Sequence, residues 1–211
     1  MQTRTYGDLF KLIQSLAGVG TFATSEQDDI ANFINRRFSQ AFNTSPVWER
    51  YITSSEERQI VQVGGRNVIP YVETGKTTIG EFNRIHRQQA FVNNSALEYE
   101  FFVDINGANI LNLVNTTDTS AFVTYKSQFT PFTTSSDYSN SIEEVPAEFF
   151  NYLAHSVYAD FLRMDGQTDK SLVEEQNAAS YLASELEKID LRSNNNTLNK
   201  RFSTYVNRQS R

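Results

Sequence analysis

The sequence predicts an α+β fold: a helical bundle formed by both chain ends, with an antiparallel β module inserted between them and an extended C-terminal arm. Three observations predict it. Apolar residues recur at helical spacing up to Asn43 and again after Val145, two-residue alternation fills the stretch between, and the chain closes on a basic, acid-free tail. The chain has 211 residues, of which 39% are apolar and 13% aromatic, enough to bury a proper core.

The first helix starts where Thr5 precedes Asp8 by three residues, a capping-box pattern, and continues through Leu9, Leu12, Ile13 and Leu16 to a stop at Gly18 and Gly20. Ser25 with Asp28 repeats the start signal. Ile30, Phe33, Ile34, Phe38, Ala41 and Phe42 then form one stripe of a long amphipathic helix. After Pro46, VWERYI carries the only tryptophan, Trp48, and is expected to continue as a helical turn packed on the bundle. These helices make up residues 1–52.

From residue 53 to 141 the period is that of strands. RQIVQVGGRNVIPY is β-rich and broken by Gly64 and Gly65, and Leu97, Tyr99, Phe101, Val103 and Ile105 alternate with mainly polar neighbours. In EFFVDINGANILNLV, Asn106-Gly107 between two alternating runs predicts a two-residue type I′ hairpin. AFVTYKSQF adds a strand, and TPFTTSSDYSNS is a crossing loop.

Residues 142–190 return to helix. Pro146 suits a first turn, and Phe149, Phe150, Leu153, Ala154, Val157, Tyr158, Phe161 and Leu162 make a face wide enough for a central helix that ends at Asp165-Gly166. A last helix from about Thr168 to Asp190, with Leu172, Ala179, Leu182, Ala183, Leu186 and Ile189, is its antiparallel partner.

Composition excludes several functions. With no cysteine and only His86 and His155, neither a disulfide framework nor a thiolate or His-rich metal site is expected. No apolar run approaches the ~18–20 residues that span a bilayer, and MQTRTYGD lacks a signal-peptide pattern, so no membrane is expected. The net charge is −6, unevenly distributed: five basic residues and no acid follow residue 190, and 14 basic face 25 acidic residues up to and including it. So acidic a body repels nucleic acid.

Glu143, Glu144 and Glu148 are the best candidates for a general acid and base, but acids at a helix start are expected from the helix dipole alone. Glu56-Glu57 and Glu174-Glu175 read as solvated faces. His155 reads as a hydrogen-bonded structural or surface group, and His86 as part of a solvated strand or loop. GGRNVIPYVETGKTTIG is not a phosphate loop, because the glycine required five residues before Gly75 is Pro70. The basic, aromatic-flanked NRIHRQQ, with Phe82 and Phe91 beside it, suits a subunit contact better than a single-strand nucleic-acid site in so acidic a body. No catalytic residue, cofactor or metal is assigned.

The tail NNNTLNKRFSTYVNRQSR places Leu198, Phe202, Tyr205 and Val206 at i, i+4, i+7 and i+8 among Lys200, Arg201, Arg208 and Arg211. A short helix with one apolar face is possible there but marginal in water, so the stretch alone is expected to be disordered, and a disordered tail stands as the alternative to a docking arm. Ordering residues 191–211 costs on the order of 20–40 kcal/mol of backbone entropy, against ~6–12 kcal/mol from burying four apolar side chains. A partner must add backbone hydrogen bonds or many arms must bind together.

The order of parts resembles the head-to-tail adaptor (connector or neck) proteins of tailed bacteriophages. The resemblance is carried by DLFKLIQSLAG…SEQDDIANFINRRFSQAFNTSPVWERYI, with Ile34-Asn35 in the long helix and Trp48 after it, and by EEVPAEFFNYLAHSVYADFLRMDGQTDKSLVEEQNAASYLASELEKI. It implies a structural virion protein, made in the host cytoplasm and non-enzymatic, that forms a twelvefold homo-oligomeric ring under the portal protein. Such a ring joins the portal to a tail-tube, stopper or nozzle protein and leaves a channel for DNA ejection. On that resemblance the arm docks on the portal, with Leu198, Phe202, Tyr205 and Val206 as apolar contacts and Lys200, Arg201 and Arg208 as steering charges. The large β module departs from the simplest, nearly all-helical members and suits a short-tailed phage. Two rivals stand beside this: a tail-associated cell-wall glycan hydrolase using Glu143, Glu144 or Glu148, and a carbohydrate- or protein-binding module on the β insert.

Overall fold

A computed structural model describes residues 4–87, 97–103, 109–114, 116–133 and 138–209, with side chains for all but 86, 109 and 190–209. The fold is mixed, with four α-helices and antiparallel sheets among the described residues, as an α+β chain should be. It divides into two compact units, Met1–Ser45 with Pro131–Arg211 and Pro46–Thr130.

In the first unit, β1 (Arg4–Thr5) pairs with β9 (Glu144–Val145), joining the unit's two chain segments. α1 (Tyr6–Ala17) has the expected cap: the Asp8 N–H donates to Thr5 Oγ1 at 3.1 Å and the Thr5 N–H donates to Asp8 Oδ2 at 3.0 Å. It stops at Gly18, whose φ of 71° is left-handed, as a glycine allows. α2 (Thr24–Asn43) begins one residue before Ser25, because Glu26 rather than Asp28 reaches back to accept the Ala23 N–H, at 2.8 Å. Asp28 instead accepts the Tyr138 hydroxyl at 2.6 Å.

α3 (Ala147–Met164) follows Pro146 and buries residues all round, from Phe149 to Leu162, with α1, α2 and α4 (Thr168–Gln209) each in contact with it. The stripe expected on α4 is kept only in part. Among the described side chains Ser171, Ala178 and Leu182 are buried and Leu186 and Ile189 half-buried, while Leu172 is 51% exposed and Ala179 and Ala183 face out, since small side chains at the contact let two helices lie close. α4 also continues past Asp190 as helix to Gln209, where the sequence suggests an extended arm.

The second unit is built of two facing antiparallel sheets. β2 (Ile52–Gln59), β8 (Ser120–Ser127) and β5 (Ile79–His86) form one in the order β2-β8-β5; β3 (Val61–Val63), β4 (Arg66–Pro70), β7 (Asn109–Leu113) and β6 (Tyr99–Val103) form the other, in the order β3-β4-β7-β6. Ile69, Leu111 and Leu113 of the second sheet share a core with Ile79, Ile85, Ala121, Val123 and Tyr125 of the first. Trp48, expected with the helices, falls within the residues of this unit; it is buried and lies just before a single 3₁₀ turn, Glu49–Tyr51.

The hairpin at Asn106-Gly107 needs correction. The strands pair antiparallel as expected, but Val103 lies opposite Asn109, with five residues, 104–108, between them, whereas a two-residue loop would set Val103 opposite Ile110. That register would turn Glu100 to the core face beside Leu113. The observed one places Tyr99 and Phe101 there and leaves Glu100 opposite Asn112 on the other face. The turn itself lies outside the described residues. A two-residue hairpin does occur at Gly64-Gly65, where Val63 pairs with Arg66 and both glycines have positive φ, 58° and 78°, as type I′ geometry demands.

Candidate functional site

The residues expected to dock on a partner, Leu198, Lys200, Arg201, Phe202, Tyr205, Val206 and Arg208, lie on the last part of α4. Their backbone is helical and their side chains are outside the described set. At 1.5 Å per residue the 42-residue helix is about 63 Å long. Its buried positions all precede residue 183 among the described side chains.

Several of the other sequence candidates make contacts within the fold. Glu143 Oε2 accepts the Thr133 N–H at 3.0 Å, and the Glu143 carbonyl accepts the Tyr6 N–H at 2.8 Å. Glu144 lies in the β1–β9 ladder and Glu148 in the first turn of α3. His155 Nδ1 is 2.6 Å from Glu174 Oε2 and its ring stacks on Tyr181 at 5.1 Å, which ties α3 to α4. The His86 side chain is outside the described set, and Arg87 pairs with Asp118 at 3.3 Å. Lys76 sits in the turn between β4 and β5, its N–H on the Glu73 carbonyl, and a strand rather than a helix follows. Among the described residues no group of three His, Asp or Glu side chains is placed to hold a metal ion.

Sequence reasoning missed three polar constellations. Asn35, on α2, grips a residue 97 positions away: its Oδ1 accepts the Phe132 N–H at 2.8 Å and its Nδ2 donates to the Phe132 carbonyl at 3.2 Å. This amide pairing fastens the segment that re-enters the helical unit, and Phe132 then stacks on Phe38 at 4.7 Å and meets Tyr6 edge-on at 5.4 Å. The only local hint was an asparagine beside the apolar stripe of α2.

Asp160, on α3, is buried between two arginines of α2. Arg37 donates from Nε and Nη2 to its two oxygens, each at 2.7 Å, and Arg36 pairs with it at 2.6 Å; Arg37 also reaches Glu175 of α4 at 3.5 Å. Burial pushes the Asp160 carboxyl up, but hydrogen bonds from Arg37 and then Arg36 outweigh it and hold the group below its ordinary value. The Arg36-Arg37 doublet was the available signal.

Arg58, on β2, points into the second unit's core and is fully buried. Its Nε pairs with Glu56 Oε2 at 2.7 Å, its Nη2 donates to the Tyr125 hydroxyl at 2.7 Å and to the Thr77 carbonyl, and its Nη1 lies 3.7 Å from Glu73. Through Thr77 and Glu73 it anchors the β4–β5 connection to the sheet. A cavity of about 350 Å³ opens nearby, lined by Pro70, Tyr71, Val72, Thr78, Ile79, Gly80, Ile110 and Gln128.

No family model matches this chain, and no curated protein matches it in sequence. Among the described residues no helix is long and apolar enough to cross a membrane.

Proposed function

We propose that the chain is a structural virion protein of the head-to-tail adaptor kind, located in a phage neck. In this reading both chain ends form a helical bundle, a second unit is inserted in it, and copies assemble as a ring under a portal protein. The observation that carries the proposal is the form of α4. Its first part packs on α3 through Ser171, Ala178 and Leu182, while its last part is helical backbone bearing basic residues and no acid. One continuous helix thus joins the acidic body to a docking segment of opposite charge, which favours oriented encounter with an acidic protein surface.

The ring joins the portal to a tail-tube, stopper or nozzle protein. Its acidic bodies let genomic DNA pass without gripping phosphate. The chemistry is assembly rather than turnover.

The test is binding to the portal ring of the same phage, full-length chain against a chain ending at Asp190, with both shown to be folded by circular dichroism. Full-length protein is expected to form a ring on the portal and the shortened chain is not. Equal binding would move the attachment to the body, and no binding by either would overturn the adaptor reading.

A further inference from the structure

The two sheets of the second unit treat their edges differently. In the three-stranded sheet both edges are blunted. β2 bulges between Thr53 and Glu56, where Ser55 takes a positive φ of 52°, and it carries Glu56 and Glu57. β5 slips register twice, between Ile79 and Glu81 and between Phe82 and Arg84; a Cβ at Gly80 would lie 2.6 Å from the Ser127 carbonyl oxygen. Bulges and charges of this kind keep an edge from recruiting another strand.

The four-stranded sheet has no bulge at either edge and little charge. β3 and β6 pair with β4 and β7 in unbroken register and, among the described residues, have no second strand beside them. Every residue of both strands is exposed, including Val61 at 41%, Val63 at 46%, Phe101 at 66% and Val103 at 58%. The only charge on either strand is Glu100.

We infer that β6 of one subunit takes β3 of a second copy of this chain as its antiparallel neighbour, so that adjacent subunits share one continuous sheet. This rests on the ring assembly proposed above for its head-to-tail sense. Two features select this occupant. All pairings within the sheet are antiparallel and the strands number four, so β3 and β6 run in opposite directions. A copy related by rotation, without inversion, therefore presents β3 to β6 in the antiparallel sense, and head-to-tail contacts of this kind form a ring when the rotation closes.

The pleat also agrees. Gln62, through Asn67 and Leu113, shares a face with Tyr99 and Phe101. Setting Gln62 opposite Phe101 of the neighbour keeps both faces continuous, centres three residues on five, and sets Val61 opposite Phe102 and Val63 opposite Glu100. No like charges meet. Three paired residues make a weak contact, so each subunit gains most when both of its edges are used.

Because the chain has no cysteine, the pairing can be read by disulfide trapping. Gln62→Cys and Phe101→Cys both fall at exposed positions, so the variants should fold, which circular dichroism checks. On mild oxidation the double variant is expected to give a reducible ladder of covalent multimers, and each single variant only monomer. Dimers from Phe101→Cys alone would replace the inference with a two-fold β6 contact. A double variant that is oligomeric by native mass spectrometry yet does not cross-link would overturn the edge pairing and leave the ring standing. A chain that neither cross-links nor associates up to about 1 mM, a contact of only ~4 kcal/mol, would also overturn it. Portal binding is measured separately, so failure of the docking segment and failure of the edge are distinguishable.

Discussion

Removing the carboxylate of Asp160 should detach α2 from α3. Asp160 and Arg37 have side chains only 4% and 11% exposed, and their two 2.7 Å hydrogen bonds form a bidentate pair. In Asp160→Ala the Arg37 guanidinium stays buried with only Glu175, at 3.5 Å, to offset it, and Arg36 stands beside it as a like charge. Breaking one partner of a buried pair costs about 3–5 kcal/mol, and the remaining Glu175 contact places this case near 3 kcal/mol. For a chain of this size that is a fall of roughly 6–12 °C in Tm.

Urea denaturation followed by far-ultraviolet circular dichroism measures the loss. The companion variant, Asp160→Leu with Arg37→Met, should recover most of the stability, because it removes both charges and lets the half-exposed Arg36 return to solvent. A loss below about 1 kcal/mol in Asp160→Ala, the level of a surface ion pair, would refute the claim that this pair is buried and structural. So would a double variant no more stable than the single one.

Two further outcomes follow from the same geometry. Asn35→Leu keeps the volume but leaves the Phe132 N–H and carbonyl without their partners, and should cost about 1–3 kcal/mol in the same denaturation assay. The folded-state pKa of Asp160 is depressed from 3.8, so its contribution is fully present above that value and is lost as pH falls through the lower folded value. Urea midpoints should therefore hold from pH 7 to about 5 and decline below about 4, with a shallower decline in Asp160→Ala.

Much of the local structure was legible because it depends on neighbours in sequence. Thr5 and Asp8 cap α1 three residues apart, Pro146 leads into α3, and the alternation around Tyr99, Phe101 and Val103 is that of a strand. The α+β class follows from those periods alone. The candidate docking residues were legible only as a pattern of charge and spacing, since a tail's composition does not say whether its backbone continues a helix.

What required the tertiary structure depends on distant groups. Asn35 finds its partner 97 residues away, Arg58 is buried only because Tyr125 and Thr77 close over it, and Asp160 is held by arginines 123 and 124 positions earlier. Hairpin register sets which β6 side chains share the face of Leu111 and Leu113, and the observed one puts Tyr99 and Phe101 there and Glu100 on the other face, a preference spread over a whole strand that outweighs the turn preference of one Asn-Gly pair. The sequence by itself determined most of the elements and the buried faces of α1, α2 and α3, because propensity and periodicity act over a few residues. The strand order that leaves β3 and β6 at the sheet's edges among the described residues, and the pairing of buried charges, were decided by packing, which sums interactions across the chain.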